Sequence, residues 1–165
     1  MGIKRLVLGV CTVASLSCAT GGSYSKAVEY DRTGQHQKAV SEFTKAIAWD
    51  PDHPAPMNGR GIAYMNLGEY EDALRDFDEA IRLDPSYSLA YYNRGILYGA
   101  KLEDHARAIE DFDRSIELDS QHAPSYHSRA ASYFHMGKPQ QACQDWRNAC
   151  ELGFSQGCTS AEELC

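Results

Sequence analysis

The chain ends in a cluster of four cysteines, Cys143, Cys150, Cys158 and Cys165, at gaps of seven, eight and seven residues. Thiols so placed have three chemistries open to them: disulfide pairing, metal binding and redox catalysis. Zinc sites favour shorter C-x2-4-C spacings and reducing compartments, and the absence of any C-x-x-C argues against redox catalysis. Zinc is therefore the rival of a disulfide framework. A second group comprises His122, His127 and His135. His127 and His135 are close enough in phase to approach one side of a helix, which allows a weak metal or pH-sensitive site. Solvated surface histidines would look the same. The sequence has no G-x-S-x-G elbow, no phosphate loop and no H-E-x-x-H pair, so neither an enzyme nor a cofactor is expected.

Which cysteine chemistry applies depends on the compartment, and the other end of the chain bears on it. "MGIKRLVLGVCTVASLSC" joins a basic start at Lys4 and Arg5 to an apolar run from Leu6 to Leu16 and small residues at Ser15 and Ser17. That is the pattern of an export signal, too short to span a bilayer comfortably. "SLSC" resembles a bacterial lipobox, which makes residues 1–18 the signal segment and Cys18 the expected lipid site, with Ser15 where that motif usually has leucine. Cleavage after Ala19 would instead leave a soluble exported protein. Either way Cys11 leaves with the signal, and the four C-terminal sulfurs remain, an even number in an oxidising compartment. Residues 19–23 are expected as a short tether. With 24% charged residues, a net charge of -7 and no basic patch, nucleic acid is not an expected partner.

Four segments, 20–53, 54–87, 88–122 and 123–156, superpose at a period of 34, with one extra residue in the third. Small residues recur at Ala27, Gly61, Gly95 and Ala130, and tyrosines three positions later at Tyr30, Tyr64, Tyr98 and Tyr133. In the second half of each segment Ala39, Ala73, Ala108 and Ala142 precede Phe43, Phe77, Phe112 and Trp146 by four residues. Ala46, Ala80, Ser115 and Ala149 follow three residues on. These spacings lie on one helix face and read as core rather than as a cofactor box. Gly34, Gly68 and Gly137 break three segments in the middle, Leu102 stands at that place in the third, and Pro51 and Pro85 close the first two. Each segment is therefore helix, turn, helix.

This pattern closely resembles the tetratricopeptide repeat. The resemblance implies an all-α, right-handed superhelical solenoid of four helix-turn-helix units over 20–156, ended by a short capping helix at 157–165. Cys143 and Cys150 occupy the offsets held by Val40 and Ile47, Leu74 and Ile81, and Ile109 and Ile116 in the earlier units. After the turn "LGFSQG", the segment "CTSAEELC" starts a further helix with Cys158 and Cys165 two turns apart. In an antiparallel hairpin the residues nearest the turn meet, which pairs Cys150 with Cys158 and Cys143 with Cys165. "ACELGFSQGC" also resembles the junction of secreted cysteine-rich helix-pair repeat proteins of bacteria, in which these two cysteines are disulfide-bonded.

A charged pair recurs as well. The seventh offset is Lys26, Arg60, Arg94 or Arg129, and the twenty-third is Glu42, Asp76, Asp111 or Asp145. Antiparallel helices bring these offsets alongside, so the expected ion pairs are Lys26–Glu42, Arg60–Asp76, Arg94–Asp111 and Arg129–Asp145, with ligand contact as the alternative.

In the family resembled, ligands lie on a concave face built from the first helices. The corresponding residues are Tyr24, Asn58, Met65, Asn66, Leu89, Tyr92, Asn93, His127, Phe134 and His135, together with Ile62 and Ile96. Such a face suits an extended or helical peptide of a partner protein. The acidic second helices read as a solvated convex face. The resemblance thus implies a protein–protein interaction adaptor of the bacterial cell envelope, in assembly, secretion or cell-wall machinery, anchored to membrane through lipid. The alternative is an exported cysteine-rich-repeat hydrolase or a cell-wall or ligand-binding protein. If Cys18 carries lipid, Cys18→Ala is expected to release the mature protein from membranes or block its processing. Unchanged membrane association and mature mass would remove the lipoprotein reading.

Overall fold

The computed structural model describes residues 13–165, with side chains from Gly22 onward. The basic and apolar start of the expected signal segment lies outside the described residues, as does the side chain of Cys18. Among the described residues nine α-helices follow one another: α1 (Val13–Arg32), α2 (His36–Trp49), α3 (Pro54–Leu67), α4 (Tyr70–Leu83), α5 (Ser88–Ile96), α6 (His105–Leu118), α7 (Ala123–His135), α8 (Pro139–Glu151) and α9 (Ser155–Leu164). Helix α1 is continuous through residues 19–23, so the segment expected as a tether is helical. Among the described residues no helix is long and apolar enough to cross a membrane.

Each odd helix packs on the next even one, and each even helix on the following odd one; α1 also meets α3, and α3 meets α5. The array is a solenoid of helix pairs whose first helices form one layer. Within the pairs, aromatic rings fill the space left by small residues. Phe43, Phe77, Phe112 and Trp146 are all almost fully buried, as are Ala27, Ala39, Ala73, Ala108, Ala130 and Ala142. A methyl group placed on Gly61 would lie 2.7 Å from the Phe77 ring, and one on Gly95 would lie 2.8 Å from that of Phe112. Only a bare backbone lets the helices approach this closely.

Three mid-unit turns close alike. The amide of the residue after the glycine donates to a tyrosine carbonyl five positions back: Gln35 to Tyr30, Glu69 to Tyr64 and Lys138 to Tyr133, at 2.8, 2.9 and 2.9 Å. The glycines adopt positive φ, 81° at Gly68, the left-handed residue that ends a helix. The third unit differs. Its extra residue is taken up by a π-helical turn, Leu97–Lys101, in which the Leu102 amide bonds to Leu97 O. The equivalent turn bond then runs six positions, from Asp104 to Tyr98. The left-handed residue is Glu103 (φ 54°), one place after Leu102, where the sequence pattern put it.

At the C-terminus Cys150 is bonded to Cys158 and Cys143 to Cys165, with Cα atoms 4.6 and 5.7 Å apart. Helix α9 begins at Ser155, two residues before the expected boundary at 157. The reason is tight turning at Gly153 (φ 86°) followed by close seating of Gly157, where a methyl group would stand 3.0 Å from both Trp146 O and Cys150 N. A helix of this length is marginal alone, so the bridges hold it on α8. Reduction is expected to cost about 2–4 kcal/mol per bridge and to raise amide exchange in α9 before α3 to α6. Simultaneous loss of protection along the whole array would contradict this.

Candidate peptide-binding groove

The first helices expose an uneven surface. Tyr24, Leu89 and Phe134 keep 36%, 40% and 45% of their area in solvent. Tyr24 stands edge-on to Phe43 (5.8 Å between ring centroids), and Phe134 lies tilted over Trp146 (5.7 Å). Asn66 is exposed and reaches toward Asp31, which His36 Nδ1 engages at 2.7 Å. Other expected groove residues are committed inward. Met65 and Ile62 pack on the cluster of Phe77 and Leu97. Asn58 is buried, and its Oδ1 accepts from Asn93 Nδ2 at 2.9 Å. These two amides bond each other between α3 and α5, which takes up one N–H of Asn93 and one lone pair of Asn58. Tyr92 is half-buried between Phe112 and His122, with the His122 ring 4.8 Å away.

The histidines fall near the C-terminal end of this face. His127 packs against Phe154 (5.3 Å), and the exposed His135 stacks on His105 (4.6 Å, interplanar angle 1°), a partner the sequence did not suggest. Among the described residues, no group of three or more His, Cys, Asp or Glu is arranged to hold a metal ion. A second cleft, about 430 Å³, is lined by Tyr24, Trp49, Asp50, His53 and Pro56. It was not anticipated. Its signal was Trp49, which stands where the later units have Leu83, Leu118 and Leu152.

Behind the groove runs a ladder of arginines. Arg60, Arg94 and Arg129 each grip the carboxylate of their own unit with Nε and Nη2: Asp76 (both 2.8 Å), Asp111 (2.9 and 2.7 Å) and Asp145 (both 2.7 Å). The remaining nitrogen, Nη1, reaches the preceding unit, to Thr44 (3.0 Å), Asp78 (2.5 Å) and Asp113 (2.6 Å). Sequence reasoning identified the first set and missed the second. In the first unit Lys26 is 4.0 Å from Glu42, whose closer partner is Lys45 at 2.6 Å. Burial opposes the charge on Arg94 and Arg129, but their carboxylate partners outweigh it and hold both guanidiniums strongly protonated. Burial likewise pushes Asp111 upward, against the bonds from Arg94. Such planar, two-pronged pairing fixes orientation, which lysine cannot do.

Family models of the tetratricopeptide repeat match residues 22–53 and 89–122, and 42–75, and a further TPR repeat model matches 63–101. Together these run without a gap from 22 to 122, more than half of the chain. No curated protein matches the chain in sequence. Similar solved structures include MamA from Desulfovibrio magneticus RS-1 (residues 41 to end), with TM-score 0.70 and 21% identity, covering 83% of this chain and 77% of that one. The first TPR of Spaghetti (RPAP3), bound to the HSP90 peptide SRMEEVD, has TM-score 0.67 and 25% identity over 72% and 93% of the two chains. The second TPR domain of human RPAP3, in complex with the HSP70 peptide SGPTIEEVD, has TM-score 0.61 and 25% identity over 67% and 91%.

The site is expected to respond to pH. Burial lowers the pKa of His122, against a weaker opposing pull from Asp119, and lowers that of His127. For a group whose folded pKa is depressed, stability is present above the unfolded value, about 6.5, and is lost as pH falls through the folded one. The melting temperature should therefore drop on acidification below about pH 6.5, and His127→Gln should flatten that slope; an unchanged slope would contradict the assignment. With the helix pairs, the turn bonds and the arginine ladder in register with these family matches, the chain is a tetratricopeptide-repeat protein.

Proposed function

We propose that this protein is an adaptor of the bacterial cell envelope that holds an extended or helical segment of another protein against the layer formed by α1, α3, α5 and α7. The observation that carries the reading is that Tyr24 on α1, Leu89 on α5 and Phe134 on α7 stay exposed on first helices over a packed aromatic core. Exposed aromatic anchors beside fixed polar groups are what peptide grooves use. The RPAP3 domains with which this chain shares its fold are bound to peptides in their structures, which supports a protein partner. Two disulfides support an oxidising, exported location. The lipid anchor at Cys18 and the envelope setting rest on the N-terminal sequence pattern.

One observation favours a second reading, a cell-wall or small-ligand-binding protein. The cleft of Trp49, Tyr24, Asp50 and His53 combines aromatic faces with hydrogen-bonding groups. The two readings separate on purified protein. Phe134→Ala with Leu89→Ala should weaken the partner captured from envelope extract by about 30-fold or more while the melting temperature stays within a few degrees of wild type. Normal binding by that variant would move the site elsewhere, and loss of binding on Trp49→Ala alone would favour the second reading.

A further inference from the structure

The cleft of about 430 Å³ lies where the end of α2 and the start of α3 face α1, and its size is that of a small-ligand pocket. Its chemistry departs from that of the equivalent place in the later units. There the offset of Trp49 carries Leu83, Leu118 and Leu152, all partly buried, and Leu83 packs on the cluster of Met57, Ala80 and Ala90. Trp49 instead keeps 54% of its area in solvent, more than any other large hydrophobic residue among those described. An indole left in water forfeits the burial that its leucine counterparts gain. The needs of the core do not account for it.

The neighbouring carboxylate is unlike its counterparts too. Asp84 Oδ1 accepts from the amide and hydroxyl of Ser86 at 2.9 and 2.6 Å, and Asp119 Oδ1 accepts from the Gln121 amide at 3.1 Å. Asp50 bonds through its backbone, its amide donating to Ala46 and its carbonyl accepting from His53. Among the described residues its carboxylate has no hydrogen-bond partner. His53, the residue before α3, uses Nδ1 to accept the Ala55 amide at 3.2 Å. The neutral ring therefore carries its proton on Nε2, which makes that nitrogen a donor. The lining thus combines the rings of Trp49 and Tyr24 with one acceptor and one donor whose roles are set.

That combination selects among occupants. An anion would meet Asp50, and a cation would meet the donor of His53. A purely apolar ligand would leave both polar groups unpaired. Neutral hydroxyls suit them, since a hydroxyl can donate to the carboxylate and accept from the imidazole. The C–H face of a pyranose ring, with its weakly positive hydrogens, suits the negative face of an indole or phenol ring. We propose that the cleft is a saccharide site, in which Trp49 and Tyr24 receive the C–H face of a neutral pyranose while Asp50 accepts from its hydroxyls and His53 donates to them. This rests on the reading of the cleft as a ligand site and names the class of ligand; it is independent of what α5 and α7 bind.

Saturation-transfer NMR on the oxidised protein tests it. The probes are cellobiose, maltose and N,N′-diacetylchitobiose as neutral pyranosides, mannitol as a polyol without a ring, and acetyl-triproline amide as a neutral peptide. Irradiating the protein's aromatic protons should mark the ring C–H protons of at least one disaccharide, saturably, with a dissociation constant of about 1 mM or tighter, and leave mannitol unmarked. Trp49→Leu, which installs the residue of the later units, should weaken that binding about tenfold or more, and Asp50→Ala about fivefold. Both positions are exposed, so the melting temperature should stay within a few degrees of wild type. No saturable response to any disaccharide, an equal response to mannitol, or full affinity in Trp49→Leu would overturn the proposal. Transfer to acetyl-triproline amide with none to the sugars would also overturn it, while keeping the cleft as a ligand site. If no probe binds and Trp49→Ala still captures its partner, the ligand-site reading falls as well; the surface of α5 and α7 is judged separately, by Phe134→Ala with Leu89→Ala.

Discussion

A flat ring pressed onto a helix that has no side chain at the point of contact sets the geometry of this protein. The rings of Phe77 and Phe112 sit on Gly61 and Gly95 within their own units, and the ring of Phe43 sits on Gly59 of the next, where a methyl group would come within 2.5 Å. The first kind of contact fixes the spacing inside a helix pair; the second fixes the spacing between pairs. Everything presented by the first-helix layer inherits its position from these contacts. Because each is nearly void-free, a unit has little freedom to shift without the next one shifting.

Packing of rings sets distance, whereas the arginine ladder sets orientation. A phenyl ring in a small-residue hole tolerates some sliding along the helix, but a guanidinium bonded through three nitrogens to two neighbouring helices does not. The groups are largely buried, so their net contribution to stability is modest, and their value lies in register. The ladder runs through three units: Lys26 makes one long contact in the first unit, and α9 has no arginine to extend it, packing Ala161 against the Trp146 cluster. At that C-terminal end two disulfides take over the holding of the last helix. Solenoid ends lack a neighbour on one side, and a covalent staple compensates for the missing interface.

How much of this was legible in sequence follows from how periodic each feature is. The Ala, Tyr, Phe and Ala stripes repeat in every unit because the packing does, and helix pairs, turns and own-unit ion pairs could be read from them. The extra residue of the third unit could be counted but not placed. Its position in the Leu97–Lys101 turn depends on backbone hydrogen bonding, which side-chain spacing does not reveal. The reach of Arg94 to Asp78 and of Arg129 to Asp113 was hidden for another reason: it depends on how adjacent units stack. Asn58 and Asn93 were read as peptide-binding amides because their offsets face the groove. They also bond each other, a contact that depends on how adjacent units stack and so has no signal in one unit's spacing. The His105 and His135 stack joins a helix start to a helix end, a relation with no sequence period.

The central claim is that the first-helix layer, and not the acidic second-helix face, is where this protein meets its partner. Site-directed photocrosslinking tests it most directly. A benzophenone side chain would be placed at Phe134 on α7 or at Arg75 and Arg114 on α4 and α6, all of them exposed positions. Irradiation in the cells that make the protein should give one discrete cross-linked protein from position 134 and none from 75 or 114. Cross-linking from the second-helix positions alone would place the partner on the opposite face and contradict the claim.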